Sequence, residues 1–66
     1  MKRIDFVEQF RTIYYEDEIK IRDVKEISPE KAILEAGFPD GVFYFVVSEN
    51  SISRSYDTFE IAEKHV

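Results

Sequence analysis

Six consecutive β-branched or aromatic residues, Val42-Phe43-Tyr44-Phe45-Val46-Val47, are entered through Pro39-Asp40-Gly41 and left through Ser48-Glu49-Asn50-Ser51. No other stretch constrains the chain as much. Residues of these types fit a pleated strand, and side chains along a strand alternate between its two faces. Val42, Tyr44 and Val46 therefore point one way and Phe43, Phe45 and Val47 the other, so both faces are apolar. A strand wet on one side carries polar residues at every second position. This one has to be covered twice. The chain's own helices serve for one face; a further part of the chain, or another molecule, has to serve for the other.

The demand is acute because the chain has only 66 residues. A single domain of that size buries roughly 60% of the surface its unfolded form exposes, which leaves stability marginal. With no cysteine, neither a disulfide nor a thiolate zinc site can act as a staple. Dense aromatic packing or oligomerisation remains, and six Phe and four Tyr favour the packing. No run approaches the ~20 apolar residues of a membrane span, and Met1-Lys2-Arg3-Ile4-Asp5 lacks the apolar core of a signal peptide. A soluble, cytoplasmic protein is expected. Its formal net charge of −5 is uneven: residues 1–31 hold eight acids and seven bases, whereas residues 32–63 hold six acids and only Arg54. Such a surface repels a phosphate backbone, so direct nucleic-acid binding is not expected and a basic partner surface is.

The flanking segments read as follows. Asp5 with Glu8 three residues on is a capping-box-like start. It opens a helix from Phe6 to about Tyr14, with an apolar stripe of Ile4, Val7, Phe10, Ile13 and Tyr14. Glu16-Asp17-Glu18 ends it, since acids oppose the dipole at a helix C-terminus. Glu18 to Arg22 alternates as a half-buried strand with Ile19 and Ile21 inward. Lys20 and Arg22 face water and discourage edge pairing, and the phase breaks at Asp23-Val24. Ser28-Pro29-Glu30, with Gly37 beyond, punctuates a short helix from Pro29 to Ala36. A strand from Lys31 to Ala36 competes with it, because Ala32, Leu34 and Ala36 also alternate.

Phe38-Pro39-Asp40-Gly41 is a tight turn in which Gly takes the positive dihedral. Glu49-Asn50 makes a hairpin between the central strand and Ser51 to Tyr56. The second arm of that hairpin puts Ser51, Ser53 and Ser55 on one face and Ile52, Arg54 and Tyr56 on the other. Asp57 or Thr58 caps a C-terminal helix from Thr58 to about Lys64. The fold class is one α+β domain over residues 1–66. It has a small antiparallel sheet of three strands, or four with the competing reading, and an N-terminal helix, a short middle helix and a C-terminal helix packed mainly on one face.

Chemistry has little to work with. The one histidine, His65, lies next to the C-terminus, and the two glycines, Gly37 and Gly41, have turn duties rather than a phosphate loop. Glu16-Asp17-Glu18 lacks the oxygen spacing of a calcium or magnesium site. No enzyme activity, metal or cofactor is expected. Val42-Phe43-Tyr44-Phe45-Val46 resembles the aromatic strand of RNA-recognition domains, but Val42 stands where a glycine belongs and no Lys or Arg lies between Lys31 and Arg54.

Binding through a surface remains. The expectation is a non-enzymatic acidic module that docks on another protein and modulates or inhibits it. The interface residues are Tyr44, Phe43, Phe45, Arg54, Tyr56 and Glu49, and a homodimer through the sheet is one form of the same idea. The alternative is a nucleic-acid mimic whose acids imitate phosphates on an enzyme. Small, acidic, cysteine-free chains are similar in composition to products of phages and mobile elements.

Overall fold

Asp5 opens the first helix as its side chain would suggest, accepting the Glu8 amide at 3.0 Å. The computed structural model describes residues 5–66, so Ile4 of the expected apolar stripe lies outside the described residues. Helix α1 (Phe6–Arg11) is shorter than its pattern predicts. It buries Phe6 and Phe10, and a further turn carries Tyr14 back onto the Phe10 ring, stacked with centroids 4.7 Å apart. Ile13, assigned above to the stripe, is instead 57% exposed.

Strands β1 (Lys20–Ser28), β2 (Lys31–Phe38) and β3 (Gly41–Ser48) follow and form an antiparallel sheet in the order β1-β2-β3. The middle helix is not formed. Pro29 and Glu30 make a two-residue turn in which the Ser28 hydroxyl accepts the Glu30 amide, and β2 begins at Lys31. The physical reason is burial: Ala32, Ile33 and Leu34 are exposed by 0%, 2% and 0%. Three successive buried residues suit a central strand covered on both faces, whereas a two-turn helix would bury only one stripe.

Both covers come from this chain. Ala32, Leu34 and Ala36 of β2, with Phe45 and Val47 of β3, pack with Phe6 and Phe10 of α1 and with Ile19. Ile33 and Val46, on the opposite face, pack with Ala62 of helix α2 (Phe59–Lys64). The small antiparallel sheet with an N-terminal and a C-terminal helix is therefore as expected, but the helices do not share a face; they lie on opposite ones. Within the α1 side, small residues of β2 oppose large ones of β3, Ala36 against Phe43 and Ala32 against Val47. The room so made is filled by rings: Phe10 meets Phe45 edge-on at 5.0 Å, and Tyr14 meets Phe45 at 5.1 Å.

The turn Pro39-Asp40 closes β2 onto β3 with Gly41 at φ 154°, and the β2–β3 register runs without a break. β1 is less regular. The break of phase seen in the sequence is a bulge, with Arg22 as the extra residue between Ile21 and Asp23, and a second irregularity falls at Ile27. At the first, Arg22 lays its aliphatic stem over Gly37 and joins Glu35 at 3.2 Å.

Beyond β3 the hairpin forms through Glu49-Asn50, but its second arm touches β3 at two bridges, Val47 with Ile52 and Tyr44 with Tyr56. Between the bridges two residues of β3, Phe45 and Val46, thus oppose three of the returning chain, Ser53 to Ser55, and the extra residue reverses the phase. Ile52 packs on the α1 side while Tyr56 packs on the α2 side, so the expected common face of Ile52, Arg54 and Tyr56 does not exist. Ser53 makes the reversal tolerable. Its hydroxyl accepts the Val46 amide at 2.8 Å and donates to the Arg54 carbonyl at 2.8 Å, standing between two groups that would bond directly in a regular ladder. Ser53→Ala leaves the Val46 amide without that acceptor, at a cost of about 1–2 kcal/mol. A thermal melt should show a midpoint lower by roughly 5–10 °C, and Ser53→Thr should recover most of it. Phe45→Asp would bury an unpaired carboxylate in the α1-side core; circular dichroism on that variant should show no cooperative melting transition.

Candidate protein-binding surfaces

The six residues singled out from the sequence are dispersed by the fold. Phe45 is 1% exposed and Phe43 is half-buried, both against the α1-side core. They serve folding, and Phe45 offers no surface. Tyr44 and Tyr56 are half-buried on the α2 side, where Tyr44 meets the Phe59 ring edge-on at 6.3 Å. Arg54 and Glu49 are exposed, Glu49 at the hairpin turn that Ser48 and Ser51 close. Tyr44 and Tyr56 are bridged backbone to backbone, and Arg54 comes to the surface beside Tyr56. Arg54 and Tyr56 line a shallow, open recess of about 380 Å³ with Ser55, Asp57, Ile61 and His65. The His65 ring stacks flat on Tyr56 at 4.8 Å, which occupies the face that a planar ligand would use. Among the described residues no three His, Asp or Glu side chains converge as metal ligands, and no helix is long and apolar enough to cross a membrane.

A different surface is more fully built. Between α1 and β1 the chain turns through Thr12 to Ile19, and a single guanidinium holds it. Arg11 Nη1 donates to the carbonyls of Tyr14 at 3.4 Å and Glu16 at 3.1 Å, and its Nη2 donates to the Ile19 carbonyl at 2.7 Å. The Ile19 amide in turn bonds the Glu16 carbonyl at 3.1 Å, closing the turn around Asp17 and Glu18. Arg11 owes its position to the last turn of α1, where a cation also suits the helix dipole. Ile19, 3% exposed, anchors the far end in the core. Tyr14 anchors the near end by stacking on Phe10.

With both ends fixed, the residues between have no freedom to fold inward. Tyr15 is 74% and Ile13 57% exposed, the two most exposed large apolar residues among those described. Glu16, Asp17 and Glu18 follow, all exposed. The connection is an apolar pair with an acidic rim, carried on a clamped backbone. Sequence reasoning passed over it because Ile13 fits a helical stripe. The available signal was Tyr14-Tyr15: neighbours on a helix lie about 100° apart, so two adjacent tyrosines cannot both face one core.

Comparison with protein-family models, curated proteins and solved structures finds no match.

Lysine cannot reach three carbonyls as the planar guanidinium does. Arg11→Lys and Arg11→Ala should therefore behave alike. Amide hydrogen exchange across residues 13–19 should rise at least ~10-fold, following about 1.5 kcal/mol of lost local stability, while exchange in β2 and β3 changes far less.

Proposed function

We propose that this chain is a non-enzymatic binding module that docks on another protein through the connection Ile13–Glu18 and modulates or inhibits that partner. The observation that supports this reading is the Arg11 clamp, which fixes the backbone of a segment whose side chains, Tyr14 apart, face solvent. A segment ordered before binding loses less conformational entropy when it docks. Tyrosine is among the residues that most often anchor interfaces. The chemistry specifies the partner: an apolar pocket for Tyr15 and Ile13, bordered by Lys or Arg facing Glu16, Asp17 and Glu18. The net charge of −5 favours approach to such a surface. A cytoplasmic setting goes with this reading.

The test compares affinity capture from lysate of the source cells by the wild type and by Tyr15→Ala, each first shown to be folded by circular dichroism. Tyr15 makes no core contact, so the variant should fold normally and lose the captured proteins by ~10-fold or more, the usual effect of truncating an interface anchor. Capture by the wild type should persist at about 0.5 M salt, where exposed charge pairs are largely screened. If Tyr15→Ala captures as the wild type does while salt abolishes capture, the acids act as phosphate mimics and the docking reading fails.

A further inference from the structure

β1 ends the sheet: β2 lies along one of its edges and no element of the described chain pairs with the other. A nine-residue open edge is a site for strand addition. Its sequence, Lys20-Ile21-Arg22-Asp23-Val24-Lys25-Glu26-Ile27-Ser28, has a property that no single-chain duty requires. Read antiparallel against itself about Val24, it places Val24 opposite Val24, Asp23 opposite Lys25, Arg22 opposite Glu26 and Ile21 opposite Ile27. Arg22 and Asp23 each meet a charge of opposite sign and the apolar residues meet apolar ones, with Lys20 against Ser28 at the ends. Neighbouring registers fail. Sliding by one residue sets Arg22 against Lys25 or Asp23 against Glu26; sliding by two sets Asp23 against Asp23 or Lys25 against Lys25. Like charges directly opposite destabilise a strand pair.

The fold agrees with this register at its centre. Opposed residues must project from the same face. Asp23 pairs with Glu35 and Lys25 with Ile33, which places both on the α2 face; Val24 pairs with Leu34 on the α1 face. A two-fold axis through Val24, perpendicular to the sheet, therefore brings Asp23 to Lys25 of the copy on one face and joins the two Val24 side chains on the other. The irregularities of β1 fall at Arg22 and Ile27, outside that central triplet; they turn Arg22 to Glu35 on the α2 face while Glu26 stays beside Ala32 on the α1 face, so Asp23-Val24-Lys25 alone carries the pairing. Val24 and Ile21 already pack at the margin of the α1-side core, and Ile27 stands 40% exposed. Lys25 is held over the Phe59 ring with its Nζ 4.8 Å from the centroid, and the Asp23 carboxylate has no hydrogen-bond or ion-pair partner among the described residues.

We propose that β1 is a homodimerisation strand, pairing antiparallel with β1 of a second copy about Val24 to make one six-stranded sheet. Lys20 and Arg22 are read from the sequence as a deterrent to edge pairing, but the neighbouring alignments are disfavoured through Arg22, Asp23, Lys25 and Glu26, and Lys20 takes no part. The contact is isologous, as a two-fold dimer requires, and its modest size places it among associations that depend on concentration. It uses a different surface from the Tyr15 connection, so either can fail alone.

Charge reversal tests this with three samples. Asp23→Lys and Lys25→Glu each set like charges opposite at both symmetry-related positions, yet mixed together they restore opposite charges at both. The expected result from sedimentation over about 10 µM to 1 mM, a range that brackets weak association, begins with the wild type moving toward twice the 7.8 kDa chain mass. Each variant alone, folded by circular dichroism, should stay at the chain mass, and an equimolar mixture should recover the doubled mass. A wild type that stays at the chain mass throughout overturns the proposal. So does a single variant that dimerises as the wild type does, or a mixture that fails to recover.

Discussion

Burial of β2 on both faces governs this structure. Ala32, Ile33 and Leu34 lose their exposure in succession, and that is possible only if α1 and α2 approach the sheet from opposite sides. Two six-residue helices are too short to be stable alone; each exists because an apolar sheet face waits for it. Each sheet face, in turn, is dry only because a helix is there. A chain of 66 residues meets the two-sided demand of β3 by spending one terminus on each side. The division is unequal. The α1 side holds the large aromatic cluster of Phe10, Tyr14, Phe38, Phe43 and Phe45, whereas the α2 side rests on Ile33, Val46 and Ala62 with Tyr44, Tyr56 and Phe59 at its margin.

That mutual dependence explains which parts of the fold were legible in advance. β3, both helix caps and the turns at Pro39-Asp40 and Glu49-Asn50 are written in local chemistry: alternation, a hydrogen-bonding side chain, a glycine at the required dihedral. β2 is not. Ser28-Pro29 and Gly37 have the same composition as helix punctuation, and only the presence of a second helix across the sheet turns the run between them into a strand. Of the two covers left open for the second face of β3, a further part of the chain or another molecule, the short C-terminal helix provides the first.

The site was less legible than the fold because the residues that matter at a surface are those with nothing to pack against, and periodicity registers only packing. Tyr44 and Phe43 stood out for being aromatic in a row, and that row is what draws them inward. Tyr15 stands out only once Arg11 is seen to hold the backbone beneath it. Likewise β1 is unremarkable as a lone strand; its symmetry about Val24 acquires meaning when the sheet order leaves its outer edge open.

The reversal at Ser53 reaches further than the hydrogen bonds it rearranges. Residues 51–56 look like exposed surface chain, the sort of segment in which evolution normally adds and removes residues freely. Here, the four-residue step from Ile52 to Tyr56 would by simple alternation return the chain to the side already filled by α1 and leave Ile33 and Val46 bare; the bulge at Ser53 is what carries it across. Deleting one residue would make the bulge unnecessary and still set Tyr56 opposite Tyr44, so the length of the segment and the presence of the bulge are linked. A lineage that keeps this architecture should therefore carry the bulge where the step from Ile52 to Tyr56 is even and lack it where the step is odd, whatever its sequence becomes.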